Sequence, residues 1–96
     1  MALVHVGILK IDFQIPESRT LKEKRMVLQR LKDGVRNVFN VSIAEIGHHD
    51  KWQIASLGIS CVANEKRHID GTLNRVKNFF ESKRYIFVID CSMEII

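Results

Sequence analysis

Basic side chains are concentrated in one stretch of the chain, and their spacing is the strongest chemical signal in the sequence. Residues 19–36 carry seven lysines and arginines against two acids, whereas the other residues carry eight basic side chains against nine acidic ones. Four of the basic residues recur at helical spacing and form one stripe about 21 Å long: Lys22, Arg25, Lys32 and Arg36. Such a stripe can follow a nucleic-acid backbone, and it can equally be a solvated helix face.

The start of this helix adds a second signal. Lys22, Lys24 and Arg25 occupy its first turn, where the helix dipole disfavours exposed cations by roughly 0.3–1 kcal/mol each. Free backbone N–H groups at a helix start attract phosphate and other anions. Lys24 falls on the apolar side, so we expect its stem to lie along the core while its amine reaches out. The candidate nucleic-acid- or anion-binding residues are Arg19, Lys22, Lys24, Arg25, Lys32 and Arg36.

Other side chains that could bind metal or catalyse a reaction occur without a supporting pattern. His48, His49 and Asp50 are adjacent in a polar connection where neighbouring side chains diverge, and a usual zinc site needs three or four ligands. Cys61 and Cys91 form no C-x-x-C motif and are typical of small apolar core residues. The sequence contains no glycine-rich phosphate loop and no nucleophile elbow. We therefore expect no metal, no cofactor and a non-enzymatic role.

Six elements are predicted to position the basic stripe. Apolar alternation indicates strands, and helical spacing indicates two helices that start after Thr20 and Asn64. Thr20 with Glu23 is a capping-box pattern. The predicted strands cover residues 3–15, 40–47, 52–63 and 85–96. The β-α-β-β-α-β order is that of an α+β, ferredoxin-like fold, with strands one and three central in a four-stranded antiparallel sheet and both helices on one face.

Length and composition limit the class of protein. The 96 residues, without a linker or a composition break, predict one domain over residues 1–96, and 46% hydrophobic content is too high for a disordered chain. No apolar run approaches the roughly 20 residues of a membrane span. Residues 1–9 lack the basic leader and cleavage site of a signal peptide. We expect a soluble, cytoplasmic protein with no membrane contact.

The open face of the predicted sheet indicates an interface. Residues 3–9 and 85–89 are apolar on both strand faces, although two helices cover only one of them. A homodimer through the sheet would bury the apolar side chains of the uncovered face. Coverage of these side chains by the chain's own loops is the alternative. Glu45 on such a face is expected to pair with Lys10 or Arg84. The candidate interface residues are Val4, Val6, Ile8, Ile86 and Val88.

Three segments together resemble the YlxP-like family of small bacterial proteins, the domain of unknown function 503. They are residues 20–25 (Thr-Leu-Lys-Glu-Lys-Arg), 39–47 (Phe-Asn-Val-Ser-Ile-Ala-Glu-Ile-Gly) and 50–58, which include Trp52. The resemblance implies a ferredoxin-like fold. It also implies association with RNA or the ribosome, because family members are often encoded beside transcription-elongation, translation-initiation and ribosome-maturation factors.

These observations lead to one main hypothesis and two alternatives. The main hypothesis is a non-enzymatic, dimeric RNA- or ribosome-associated protein whose basic helix contacts phosphates, so that binding weakens with salt. A small anionic ligand could instead bind at the helix start near Lys22 and Lys24, which would make the protein a regulatory module. A structural dimer that serves a protein partner is the third hypothesis.

Overall fold

Four strands and two helices alternate in the order β-α-β-β-α-β in the computed structural model, which describes residues 3–96. The strands are β1 (His5–Gln14), β2 (Ser42–Gly47), β3 (Ile54–Ala63) and β4 (Phe87–Ile95), and the helices are α1 (Leu21–Val38) and α2 (Lys66–Glu81). This order confirms the predicted α+β, ferredoxin-like fold. Between residues 3 and 96, neither helix is long and apolar enough to cross a membrane.

The four strands form one antiparallel sheet in the order β2-β3-β1-β4. Strands β1 and β3 are central, as predicted, and Leu9 pairs with Ile59 on one side and Met93 on the other. Both helices pack on the same face, where the rings of Phe39, after α1, and Phe79 of α2 lie 6.4 Å apart. The opposite face is called the open face below.

The hydrophobic core lies between the sheet and the two helices. Alternate residues of β1, namely Leu9, Ile11 and Phe13, are fully buried. Helix α2 approaches β1 so closely that a Cβ atom on Gly7 would lie 2.8 Å from Leu73 Cδ1. Gly7 is therefore required by packing, because any side chain there would displace α2.

The two helix starts differ in how they are capped. The Glu23 N–H donates to Thr20 Oγ1 (3.0 Å), which confirms the predicted cap of α1. The predicted cap of α2 is wrong: Glu65, and not Asn64, occupies the cap position, and it makes no side-chain capping bond. Asn64 lies one residue too early to reach the free N–H groups of the first turn.

The open face has three zones along the strands. An apolar end lies at the start of β1 and consists of Val4, Val6, Ile8, Val62 and Ile96. A polar band follows and consists of Lys10, Asp12, Ser56, Asp90, Ser92 and Glu94, in which Asp12 pairs in register with Asp90 and accepts a 2.6 Å hydrogen bond from Ser56 Oγ. An aromatic end consists of Ile54 and Phe87, with Trp52 beside Ile54 in the connection that precedes β3. The assignments within the strands follow from the register, since alternate residues of a strand share a face, and Ile96 continues the ladder opposite Val6. Val4 is an exposed residue directly before β1.

Candidate nucleic-acid interface

The loop before α1 is fastened to the β2–β3 connection at one end of the molecule. Gln53 Nε2 donates to Ser18 O (3.1 Å), and the Ile15 N–H donates to Gln53 O (2.8 Å). The Arg19 N–H donates to Glu23 Oε2 (2.6 Å), so the Glu23 carboxylate lies over the start of α1. These bonds fix Arg19 and the first turn of α1 beside the β2–β3 connection.

Five of the six candidate binding residues lie at the surface. The Arg19 side chain is 84% exposed, Lys22, Arg25 and Arg36 are exposed, and Lys32 is half-buried. Of these five surface residues, only Arg19 lies within 4 Å of a carboxylate in residues 3–96, at 3.7 Å from Glu23 Oε1. The stripe Lys22, Arg25, Lys32 and Arg36 therefore presents positive charge that no described acid neutralises at close range.

The stripe faces the β2 side of the molecule. Arg36 Nη2 donates to Ile43 O (3.3 Å) in β2, which places this side of α1 next to the edge strand. Arg30, on the other side of α1, lies over the Tyr85 ring at 5.2 Å from its centroid. Arg30 is thus held in a cation–π contact, and Arg36 is held in part by its bond to the Ile43 carbonyl. The other three stripe residues make no side-chain hydrogen bond or ion pair with the described residues.

Lys24 does not reach solvent, and its expected role as a binding residue is wrong. Its side chain is 2% exposed, and its Nζ donates to His48 O (2.5 Å) and lies 3.1 Å from Glu45 Oε2. The reason is that Lys24 shares a helix face with buried Leu28, and the β2–β3 connection covers its amine. Lys24 therefore holds the start of α1 against that connection.

Glu45 lies on the helix side of β2, opposite Leu57, so the expected pairing with Lys10 or Arg84 is also wrong. Its Oε1 is 4.0 Å from His49 Nε2, while its buried Oε2 has a charge partner in Lys24 but no aligned hydrogen bond within residues 3–96. The buried Glu45 carboxylate needs the charge of Lys24 to offset its lost hydration. The Lys24–Glu45 ion pair therefore joins α1 to β2.

Metal-binding and thiol groups are dispersed. The described part of the chain brings together no three His, Cys, Asp or Glu side chains that could hold a metal ion. Cys61 is buried and Cys91 is half-buried. Burial raises the pKa of the Cys91 thiol, Lys77 lowers it in part, and Glu81 and Asp90 raise it further. The Cys91 thiol is therefore a poorer nucleophile than an exposed cysteine at neutral pH.

Three of the five candidate dimer residues lie on the open face. Val4 and Ile8 are exposed and Val6 is half-buried at the apolar end. Ile86 and Val88 lie on the helix side, where Ile86 belongs to the core, so their assignment to the open face is wrong. A register shift at Asp12/Phe13 places an extra residue, Ile89, in β4. Val88 therefore pairs with Phe13 on the helix side, although Asp90, two residues later, lies on the open face.

Two exposed aromatic rings are functional candidates that the sequence reasoning missed. Trp52 is 50% exposed and Phe87 is 63% exposed, and both lie at the end of the sheet where α1 begins. Trp52 directly follows the polar residues 48–51, which is a signal for an exposed ring. Phe87 carries no such signal, because apolar residues flank it on both sides.

Comparison with known proteins places the chain in a family. The model of the family described as protein of unknown function (DUF503) matches residues 6–93, which include the stripe and the Lys24–Glu45 pair. The chain is similar to the uncharacterized protein YlxP of Bacillus subtilis (strain 168), with 42% identity over 77 residues that cover 80% of this chain and 84% of that protein. The chain therefore belongs to the YlxP-like DUF503 family, as its sequence motifs indicated.

Proposed function

We propose that this protein binds RNA by placing phosphates along the stripe on α1. The observation that carries this proposal is the row of surface cations Lys22, Arg25, Lys32 and Arg36, none of which has a described carboxylate within 4 Å. Positive charge in a line about 21 Å long matches a polymeric anion better than a small one. The resemblance to a family encoded beside translation and transcription factors supports RNA as the polymer.

The start of α1 is less suited to a small anionic ligand. Glu23 places a carboxylate over the first turn, and its own N–H donates to Thr20 Oγ1. A bound anion would have to approach this carboxylate. Lys24, which such a site would use, is paired with Glu45. These contacts favour a phosphate chain along the helix over a metabolite at its end.

We also propose that a second copy of the chain covers the apolar end of the open face. Val4, Val62 and Ile96 are 64–66% exposed there, and Ile8 is 39% exposed. A contiguous apolar patch on a sheet face is typical of an interface. Closed two-fold dimers are the commonest assembly, and one formed here would leave both α1 stripes exposed.

Charge reversal on the stripe tests the RNA proposal. The test variant is Lys22→Glu, Arg25→Glu and Arg36→Glu together, and binding of a fluorescently labelled RNA is followed by anisotropy. Because three phosphate contacts become repulsive, we expect affinity to fall by more than about a hundredfold. Circular dichroism and thermal melting should show an intact fold, because these side chains are exposed.

A matched control separates the stripe from net charge. Lys66→Glu, Arg67→Glu and Arg75→Glu change the charge by the same amount on exposed positions of α2. This control should keep most of the affinity. Equal losses in the two triple variants would mean that only net charge matters, and unchanged binding in the stripe variant would refute the proposal.

A further inference from the structure

Two exposed rings lie at the end of the sheet nearest the start of α1. Trp52 precedes Ile54 by two residues, Ile54 pairs with Gln14, and Gln14 pairs with Phe87. Ile54 and Phe87 are thus two strand spacings apart, roughly 10 Å. A groove of about 400 Å³ runs beside Trp52 and is lined by Asp50, Lys51, Trp52, Gln53 and Ile54.

The exposure of these rings is unexplained by the fold itself. Tryptophan is on average a largely buried residue, yet half of Trp52 is accessible, and Phe87 is still more exposed. Neither ring makes an aromatic or cation–π contact with the described residues, in contrast to Phe39, Phe79 and Phe80. Both are therefore available to an external planar group.

The charges around the rings indicate what that group is attached to. In the polar band, Asp12, Asp90 and Glu94 outnumber Lys10, so a phosphate chain would be repelled from the middle of the open face. Arg19, Lys51 and Arg84 are exposed in the loops at the aromatic end, where Gln53 fastens the β2–β3 connection to the loop before α1. The exposed acids Glu17 and Asp50 lie in the same loops, so cations and acids alternate there, in contrast to the acidic polar band. Phosphates therefore find cations beside the rings at Arg19, Lys51 and Arg84.

We infer that Trp52 and Phe87 stack on unpaired bases of the RNA whose phosphates lie on the α1 stripe. This inference rests on the proposed function and narrows its substrate class to single-stranded segments. Bases in a duplex are already stacked on one another, whereas unpaired bases can stack on aromatic side chains, which raises affinity roughly five- to a hundredfold per base. A second copy at the apolar end would leave both rings free.

Intrinsic fluorescence tests this inference directly, because Trp52 is the single tryptophan of the chain. An unstructured 12-nucleotide RNA and a hairpin duplex with the same number of phosphates are titrated into the 96-residue protein. We expect the single strand to quench Trp52 and to bind more tightly than the duplex. Quenching should saturate at the Kd that anisotropy gives for the labelled strand.

Variants separate stacking from structure. Trp52→Ala and Phe87→Ala should each weaken single-strand binding at least about fivefold and leave duplex binding unchanged, while Trp52→Phe should retain most of the affinity. Ile46→Ala, at another exposed apolar position of the open face, is the matched control. If Trp52→Ala fails to fold, the single-strand and duplex affinities of Phe87→Ala still test base stacking.

The outcomes distinguish this inference from the proposed function. Equal binding of single strand and duplex, with no quenching and no effect of either alanine variant, overturns base stacking and leaves the phosphate stripe intact. Absence of binding to both RNAs at low salt overturns the proposed function and this inference with it.

Discussion

Lys24 shows how one residue can match a binding motif and serve the fold. Its amine is enclosed by His48 O and Glu45 Oε2, and the left-handed backbone of His48 (φ 58°) directs that carbonyl toward it. The side chain connects α1 to the β2–β3 connection, which also carries Trp52. Lys24 therefore fixes the position of the stripe relative to the β2–β3 connection, and its amine is not available at the surface.

Removal of the Lys24 charge should destabilise the protein strongly. Lys24→Met leaves Glu45 partly buried without its cation, so we expect the free energy of unfolding in urea to fall by about 3–5 kcal/mol. Arg25→Met, one residue away on the exposed surface, should change it by less than about 0.5 kcal/mol. Similar stabilities for the two variants would show that the ion pair is dispensable.

Cys91 provides a pH-dependent test. Burial raises the pKa of its thiol above the usual value of 9.0, so the folded state holds the proton more tightly than the unfolded state. The resulting stabilisation is complete below pH 9.0 and is lost as pH rises through the folded-state pKa. Stability should therefore decline more steeply above pH 9.0 in the parent protein than in Cys91→Ser. Parallel curves would contradict the assignment.

At the scale of elements, two glycines have opposite consequences. Gly7→Ala places a Cβ against Ile69 and Leu73 of α2, so overpacking should lower the free energy of unfolding by about 1–3 kcal/mol or more. Gly71→Ala, inside α2, meets only Arg75 Nη1 at 3.4 Å and should raise it by about 0.5–1 kcal/mol. Thermal denaturation of both variants tests these two predictions. Equal changes in stability for Gly7→Ala and Gly71→Ala would contradict the described packing of α2.

The element order and helix α1 could be predicted from the sequence because both depend on local signals. Thr20 and Glu23 stand at capping spacing, and the apolar periods of β1 and α1 are regular. The sequence could not predict which face of the sheet Ile86 and Val88 occupy. That face depends on the register shift opposite Asp12/Phe13, which arises from pairing between strands that are distant in sequence.

The part of the candidate site that depends on local sequence was predictable. Charge and helical spacing identified the stripe on α1. The burial of Lys24 depends on where the β2–β3 connection folds back, and the exposure of Phe87 depends on the register of β4, so neither follows from local sequence.

At the scale of the whole molecule, the surface separates three properties. The stripe on α1 is basic, the polar band of the open face is acidic, and the apolar and aromatic ends lie at opposite limits of the sheet. If RNA binds as proposed, acidic charge on the open face would direct its phosphates to α1. The apolar end would then be free to contact a second copy, and the proposed dimer would carry two α1 stripes.

Dimerisation through the apolar end can be distinguished from contact through the aromatic end. We expect the parent protein to sediment as a dimer and Val62→Asp to sediment as a monomer, because an unpaired carboxylate in an apolar contact is unfavourable. Phe87→Asp should remain dimeric. A parent protein that sediments as a monomer at tens of micromolar would refute the dimer. Loss of the dimer in Phe87→Asp would show that the interface is at the aromatic end instead.

The proposed RNA binding through phosphate contacts on α1 can be measured through the salt dependence of affinity. The Kd of single-stranded RNA is measured from low to moderate salt for the parent protein and the Lys22→Glu, Arg25→Glu, Arg36→Glu variant. With about four phosphate contacts, the logarithm of the association constant should fall against the logarithm of salt with a slope of roughly −3 for the parent protein. The variant should show weak binding and a slope near zero. Equal affinities and equal slopes for the two proteins would contradict RNA binding through the stripe.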